Sequence, residues 1–178
     1  ILIRFTCQRY LKTICQFYGV TQYRCDFLKK YYKLPESKVS FLPIGADVDL
    51  ASKLDSKETL RAKYDYAESD FVIVSGGKMD QRKGTDRLIR AVDKIRENYP
   101  KVKLALFGKI DDEITQQLAD NSPVVRQLGW CDRITSLELL KMADVVCWPI
   151  HHTTLCEDTI AVGTPMIIRK TRTTEHLI

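Results

Sequence analysis

The sequence predicts an α/β fold in which a doubly wound parallel sheet of about six strands carries helices on both faces. Three observations lead to this prediction. Short, nearly continuous apolar blocks recur along the chain, as expected of strands that are covered on both faces. Amphipathic helical patterns lie between the blocks. Strand and helix alternate five times, which is typical of parallel strands joined by right-handed crossovers.

The predicted elements follow from these blocks in order. The strands are residues 39–43, 71–77, 102–108, 124–130, 144–150 and 165–169. Residues 86–98 form the clearest helix, because Leu88, Ile89, Val92 and Ile95 share one stripe and charged residues occupy the other face. A shorter helical pattern follows Asp132, which we expect to cap its N-terminus.

Composition limits the class of protein. A chain of 178 residues, 44% hydrophobic and 29% charged, suffices for one good-sized core. No apolar run approaches the length of a membrane span, and early charges argue against a secretory signal. The six cysteines form no CxxC pair and mostly lie in apolar stretches. Free thiols in the reducing cytoplasm are therefore favoured over disulfides or zinc ligands.

The formal charge of +5 is concentrated near the N-terminus. Residues 1–33 hold seven Lys or Arg and one acid, whereas residues 34–178 hold 21 and 22. We therefore divide the chain into a basic segment, 1–33, and a globular domain, 34–178. Tyrosines interleave with the basic residues, and a surface helix packed on a neighbouring domain is the favoured interpretation. A peripheral contact with anionic headgroups at the inner face of the cell membrane stays open, and nucleic-acid binding is not expected.

The first candidate site is the basic loop that follows the strand 71–77. Ligands of open parallel sheets bind beyond the carboxyl ends of the strands. Glycines allow close approach to a phosphate, and cations neutralise it, so a diphosphate suits this loop. The residues concerned are Gly76, Gly77, Lys78, Arg82 and Lys83. A solvated basic loop is an equal alternative, and the absence of GxGxxG and GxxxxGK[ST] argues against nicotinamide and P-loop nucleotides.

The second candidate site is the segment 149–165, after another predicted strand. Thr153 or Thr154 offers a hydroxyl and backbone N–H groups to an anion, and a carboxylate one turn later suits the vicinal hydroxyls of a sugar. Ordinary helix capping explains the same residues and is the simpler interpretation of this segment alone. His151 and His152 lack a third ligand at recognisable spacing, so no metal site is predicted.

Taken together, six segments resemble the C-terminal, donor-binding domain of retaining nucleotide-sugar glycosyltransferases of glycosyltransferase family four, which have the GT-B fold. The segments are LPIGADVD (42–49), GGKMDQRKGTDRLIRA (76–91), LALFG (104–108), VRQLGW (125–130), ADVVCWP (143–149) and DTIAVGTPMII (158–168). The resemblance covers residues 14–169 and implies a Rossmann-like domain. Residues 17–47 resemble the stretch that leads from the acceptor domain. We expect a piece of a longer enzyme, with its acceptor half before residue 1 and its C-terminal end truncated.

The resemblance also implies roles for residues. Gly77-Lys78 followed by Lys83-Gly84 resembles the G-R-x-x-x-x-K-G element that holds the donor diphosphate, with Lys78 in place of Arg. Lys78 and Lys83 are the predicted catalytic residues, because they would stabilise charge on the leaving group. The predicted donor-binding residues are Gly76, Gly77, Arg82, Gly108, Gly129, Trp130, Cys131, His152, Thr153, Thr154, Leu155, Glu157 and Asp158. The nucleotide base is expected near Gly129, Trp130 and Cys131.

The acidic motif departs from the family's pattern. In the family, two glutamates eight residues apart precede A-M-A-x-G-x-P, the second binding the ribose and the first lying near the transferred sugar. Counting back from Gly163 places Asp158 at the second position, with Glu157 as a competing candidate, and Ile150 at the first. The family's Gly-Phe-Gly turn is missing, and we expect His152 or the threonines to contact the donor instead.

The function implied by the resemblance is transfer of a sugar from a UDP- or GDP-linked donor to an acceptor hydroxyl, with retention and without an obligatory metal or cofactor. The acceptor would be a glycan or lipid-linked sugar, held by the missing domain, in polysaccharide or glycolipid biosynthesis. We expect the piece alone to bind nucleotide and to be inactive. Two alternatives are a non-catalytic sugar-nucleotide or phosphate-binding regulatory module and a sugar-nucleotide epimerase fragment of the same fold.

Overall fold

A computed structural model describes residues 2–178, which form two compact units. The smaller unit comprises the chain through Gly45 together with Lys170–Ile178, and the larger unit comprises Ala46–Arg169. Among the described residues, no helix is both long enough and apolar enough to cross a membrane. The assignment of residues 34–178 to a donor-binding domain stays a prediction.

Eight α-helices and seven strands are found between residues 2 and 178. The helices are α1 (Leu2–Arg9), α2 (Gln22–Tyr32), α3 (Val48–Ser52), α4 (Lys57–Lys63), α5 (Thr85–Arg96), α6 (Glu113–Asn121), α7 (Arg133–Met142) and α8 (Leu155–Ala161). The strands are β1 (Phe17–Gly19), β2 (Val39–Phe41), β3 (Phe71–Met79), β4 (Val102–Ile110), β5 (Val125–Gly129), β6 (Val145–Trp148) and β7 (Met166–Ile168).

The smaller unit is built on a two-stranded parallel sheet in which β1 pairs with β2. The ammonium group of Lys38, just before β2, donates hydrogen bonds to the carbonyl oxygens of Leu11 and Ile14 at 2.7 and 2.5 Å. These bonds hold the turn after α1 beside the sheet. The predicted strand 39–43 therefore belongs to this small sheet, because its edge pairs with the short strand β1.

The larger unit contains a five-stranded parallel sheet in the order β5-β4-β3-β6-β7. The predicted α/β fold class is confirmed, and five of the six predicted blocks are its strands, so the sheet has one strand fewer than expected. The strand order reverses beside β3, because β4 and β5 extend the sheet on one side and β6 and β7 on the other. Right-handed crossovers then place α5 and α6 on one face and α7 and α8 on the other.

The core of the larger unit lies between α5 and the central strands. Leu88, Ile89 and Val92 of α5 are buried as their spacing predicts, and they pack in one cluster with Leu104 of β4. Fully burying an aliphatic side chain contributes about 1.5–3 kcal/mol, so this stripe fixes α5 to the sheet. The prediction was wrong for Ile95, which is 42% exposed, because the last turn of α5 extends beyond the packed cluster.

Candidate functional site

A cleft of about 380 Å³ opens in the larger unit at the carboxyl ends of the strands. Its lining residues are Gly77, Phe107, Gly108, Trp130, Cys131, Asp132, Arg133, Ser136, Thr153, Thr154, Leu155 and Asp158. Gly77 lies near the end of β3, and residues 153–155 follow β6. The cleft therefore lies beside the reversal of strand order, where open parallel sheets bind their ligands.

Two paired glycines form the floor of this cleft. Gly77 of β3 lies opposite Gly108 of β4, and their φ angles are +95° and +103°. A Cβ on Gly108 would lie 2.1 Å from the carbonyl oxygen of Gly77, so only glycine fits there. The backbone is consequently bare at this point, which allows close approach of a ligand.

An exposed indole stands at the mouth of the cleft. Trp130 follows the end of β5 and is 85% exposed, so it is not part of the core. The neighbouring Cys131 is half-buried, and its thiol donates a hydrogen bond of 3.5 Å to the carbonyl oxygen of Gly129. Burial and the nearby Asp132 raise the pKa of Cys131. The flat face of Trp130 is available for stacking on an aromatic ring.

A buried carboxylate and a guanidinium form one wall. Asp158, in α8, is paired through both oxygens with Arg133, the first residue of α7. Nη2 of Arg133 donates to Oδ1 of Asp158 at 2.7 Å, and Nη1 donates to the other oxygen. Asp132 caps α7 as predicted, because its carboxylate accepts the N–H of Thr135 at 2.7 Å. That hydrogen bond lowers the pKa of Asp132 and keeps it negative.

Glu157 and Asp158 point to different neighbours. Glu157 is buried and shares a hydrogen bond of 2.9 Å with Nε2 of His152. Neither Glu157 nor His152 lines the cleft. Of the two carboxylates that compete for the ribose-binding position, Asp158 is thus the one that faces the cleft, and a donor contact of His152 stays a prediction.

The basic loop lies mostly apart from this cleft. Lys78 and Arg82 line a separate depression of about 400 Å³. The ammonium group of Lys78 lies 2.8 Å from Asp111, and the guanidinium of Arg82 lies 2.7 Å from Asp80. Hydrogen bonds from Lys78 and then from Lys109 lower the pKa of Asp111 to about 2. Both cations are therefore already paired with carboxylates of the loop region.

Lys83 lies on the α8 side of the same loop. Asp80 accepts its backbone N–H at 2.9 Å, which forms the turn, and its side chain is half-buried. Burial raises the pKa of the Cys156 thiol, in α8, to about 11, while the charge of Lys83 acts in the lowering direction. The Lys83 ammonium is thus close enough to α8 to influence that thiol.

Gly76 and Gly129 support the cleft without lining it. The carbonyl oxygen of Gly76 accepts a hydrogen bond of 3.2 Å from the indole N–H of Trp148, and a Cβ on Gly76 would clash with the ring of Phe107. Gly129 ends β5 with a φ angle of +68°, which turns the chain toward Trp130. Gly76 therefore contributes to packing, and Gly129 contributes to a turn.

The sequence did not predict that four of these residues line the cleft: Phe107, Asp132, Arg133 and Ser136. Arg133 directly follows the predicted base-binding segment and the cap Asp132. This position in the sequence could have indicated that Arg133 lies near the donor. Its partner Asp158 is 25 residues further along the chain, so the pairing follows from the packing of α7 beside α8.

The fold and the position of the cleft define a class, the Rossmann-like C-terminal domain of GT-B glycosyltransferases. The structure of Anabaena HepE in complex with UDP and glucose matches with a TM-score of 0.75 at 17% identity, over 92% of this chain and 47% of that one. The family model of glycosyl transferases group 1 matches residues 56–178, and the chain belongs to that family.

Curated relatives agree with the family. An uncharacterized glycosyltransferase of Methanocaldococcus jannaschii is 27% identical over 172 residues, which are 89% of this chain and 44% of the relative. The GDP-mannose-dependent alpha-(1-6)-phosphatidylinositol monomannoside mannosyltransferase of Mycolicibacterium smegmatis is 31% identical over 120 residues, 65% of this chain and 31% of the relative. The chain thus spans less than half the length of these relatives.

Proposed function

We propose that the cleft binds a nucleoside-diphosphate sugar, and that the complete protein transfers this sugar to an acceptor hydroxyl with retention. The observation that carries the proposal is the combination, in one cleft, of a bare glycine floor, an exposed indole and a buried carboxylate. The floor at Gly77 and Gly108 suits a diphosphate, Trp130 suits the base, and Asp158 suits the ribose hydroxyls.

The relatives support this class of donor. HepE was solved with UDP and glucose, and the name of the Mycolicibacterium relative gives GDP-mannose as its donor. For this chain we therefore propose a UDP- or GDP-linked sugar, with no further cofactor. The acceptor would be a glycan or a lipid-linked sugar bound by another domain, and a peripheral membrane contact of the basic segment is part of the same proposal.

Lys83 is the stronger of the two proposed catalytic lysines. As the sugar leaves, negative charge builds on the diphosphate, and a nearby ammonium stabilises it. The next residue, Gly84, packs against Pro149 and Ile150, which precede α8, and α8 borders the cleft through Leu155 and Asp158. Lys78 would first have to leave Asp111, from which it lies 2.8 Å away.

The proposal is tested by thermal unfolding with nucleotide. UDP or GDP at millimolar concentration is expected to raise the melting temperature, because a ligand that binds only the native state stabilises it. Lys83→Ala should remove the shift. Lys109→Ala is the control, since Lys109 pairs with Asp111 and is not a proposed donor-binding residue, and it should keep the shift. An unchanged melt of the wild-type chain with both nucleotides would contradict the proposal.

A non-catalytic donor-binding module is the second candidate function. Ile150 stands at the first acidic position of the family's motif, and it packs against Gly84, where a Cβ would lie 2.9 Å from its side chain. An apolar side chain there offers no hydrogen bond to the transferred sugar. A complete protein that binds a donor sugar but neither transfers nor hydrolyses it would favour this candidate.

A further inference from the structure

We propose that Arg133 binds the diphosphate of the donor, a role that the family resemblance implies for Lys78 and Lys83. This inference rests on the proposed function and names one further residue of the same cleft. Among the described residues that line the cleft, Arg133 carries the one positive charge, whereas Asp132 and Asp158 carry two negative charges. A dianionic or trianionic ligand entering there meets Arg133 as its nearest counter-charge.

The geometry of Arg133 leaves donors free for a ligand. A guanidinium has five N–H donors in one plane, and the pairing with Asp158 employs one on each terminal nitrogen. The Arg133 side chain is 47% exposed, while that of Asp158 is 6% exposed. One edge of the guanidinium therefore faces the buried carboxylate. Asp158 does not engage the remaining N–H groups, which can bind phosphate oxygens in the bidentate manner that arginine favours.

The Arg133–Asp158 pair also reduces the repulsion between the carboxylate of Asp158 and a bound diphosphate. A carboxylate that binds ribose hydroxyls lies close to the diphosphate of the same nucleotide, and two like charges at short range repel each other. By neutralising Asp158, Arg133 allows the carboxylate and the diphosphate to lie side by side. The carboxylate keeps further lone pairs for hydroxyl groups, since each oxygen accepts more than one hydrogen bond.

Two other cations of the basic loop are already paired with carboxylates outside the cleft. Lys78 and Arg82 are paired with Asp111 and Asp80, and both line the separate depression. Lys83 remains as a second contributor from the α8 side. Diphosphate binding in the cleft itself consequently depends on Arg133.

The test compares the dissociation constants of UDP and uridine, measured by calorimetry on the whole chain, with GDP and guanosine as a second pair. Arg133→Ala is expected to weaken UDP by roughly tenfold or more and to change uridine by less than about twofold, because the lost contacts are charge-assisted hydrogen bonds to phosphate. Arg133→Lys should fall between, since it keeps the charge and loses the planar fork.

A second background keeps the test valid if Arg133→Ala alone is unstable. In Asp158→Asn the buried charge is already absent, so adding Arg133→Ala strands no carboxylate. The ratio of UDP to uridine affinity should fall by roughly tenfold in this double variant relative to Asp158→Asn. If UDP and uridine weaken equally, so that the ratio of their affinities is unchanged, Arg133 has no specific contact with the diphosphate and the inference is overturned.

The two proposals fail differently in this experiment. A wild-type chain that binds neither UDP nor GDP overturns the proposed function and the role of Arg133 with it. A wild-type chain that binds nucleotide, with an Arg133→Ala variant of unchanged affinity, overturns the role of Arg133 alone.

Discussion

At the scale of single residues, the shape of the cleft depends on glycines, which have no Cβ, as much as on charged groups. Gly108 has a φ angle of +103°, and the carbonyl of Gly77 occupies the space that its Cβ would need. Gly129 also has a positive φ angle, of +68°, but nothing lies within 4 Å of the position that a Cβ would take there. A side chain at Gly108 would therefore meet both backbone strain and a steric clash, whereas one at Gly129 would meet backbone strain alone.

Gly108→Ala is expected to lower the free energy of unfolding by about 2–5 kcal/mol, because left-handed strain and overpacking add. Gly129→Ala should cost about 1–2 kcal/mol, since only the strain applies. Gly45→Ala, which has open space and no positive φ angle, is the neutral control. Urea unfolding measures all three, and equal losses for Gly108→Ala and Gly129→Ala would contradict a steric role of the Gly77 carbonyl.

At the scale of elements, a buried ionic cluster ties α4 to the strands β3 and β6. Arg61 of α4 is buried, donates from Nε to the carbonyl oxygen of Met142 at 3.0 Å, and pairs with Asp144 before β6. Asp144 also accepts a hydrogen bond of 2.7 Å from the N–H of Val72 and one of 2.8 Å from Lys57. One carboxylate thereby joins three elements on the side of the unit that holds α7.

Asp144→Asn is expected to lower the free energy of unfolding at pH 7 by about 2–4 kcal/mol, because it leaves the buried Arg61 without a counter-charge. Burial acts to raise the pKa of Asp144, but hydrogen bonds from Lys57, Val72 and Arg61 outweigh it and lower the pKa. The contribution is therefore complete above the unfolded pKa of about 3.9 and is lost as the pH falls through the lower folded value.

Urea unfolding of wild type and variant at pH 7 and pH 3 measures this difference. The gap between the two proteins should narrow at pH 3. Asp26→Asn is the control, since Asp26 pairs with Lys29 on the surface and should change stability by less than about 1 kcal/mol. A gap of the same size at both pH values would contradict the ionic origin of the effect.

At the scale of the whole molecule, all residues that line the cleft belong to the larger unit, Ala46–Arg169. That unit contains the complete five-stranded sheet and its core. Donor binding, as proposed, is therefore a property of this unit, whereas the smaller unit supplies the basic and aromatic segment.

A chain of residues 46–169 alone is expected to unfold in one cooperative transition and to bind UDP or GDP within about threefold of the affinity of the whole chain, since core and cleft are retained. Thermal unfolding and calorimetry measure the two properties. A version carrying Lys83→Ala serves as the non-binding control. Cooperative unfolding with lost nucleotide binding would show that the smaller unit completes the site.

The sequence by itself determined what depends on local periodicity and spacing. Apolar blocks predicted the five strands of the sheet, the stripe on Leu88, Ile89 and Val92 predicted α5, and Asp132 was identified as a cap. Strand ends that share one sheet edge must meet, so Gly77 after one strand and Thr153 and Thr154 after another could be grouped in advance.

Only the tertiary structure decided which charges pair and which face the cleft. The separation of Lys78 from the cleft follows from Asp111 at the end of the neighbouring strand, and the pairing of Arg133 with Asp158 follows from α7 packing beside α8. Likewise, β2 pairs with β1 in the small sheet, although the pattern placed this strand in the main sheet. Side-chain pairing depends on the distance between elements far apart in the chain, and a linear pattern of residue types does not contain that distance.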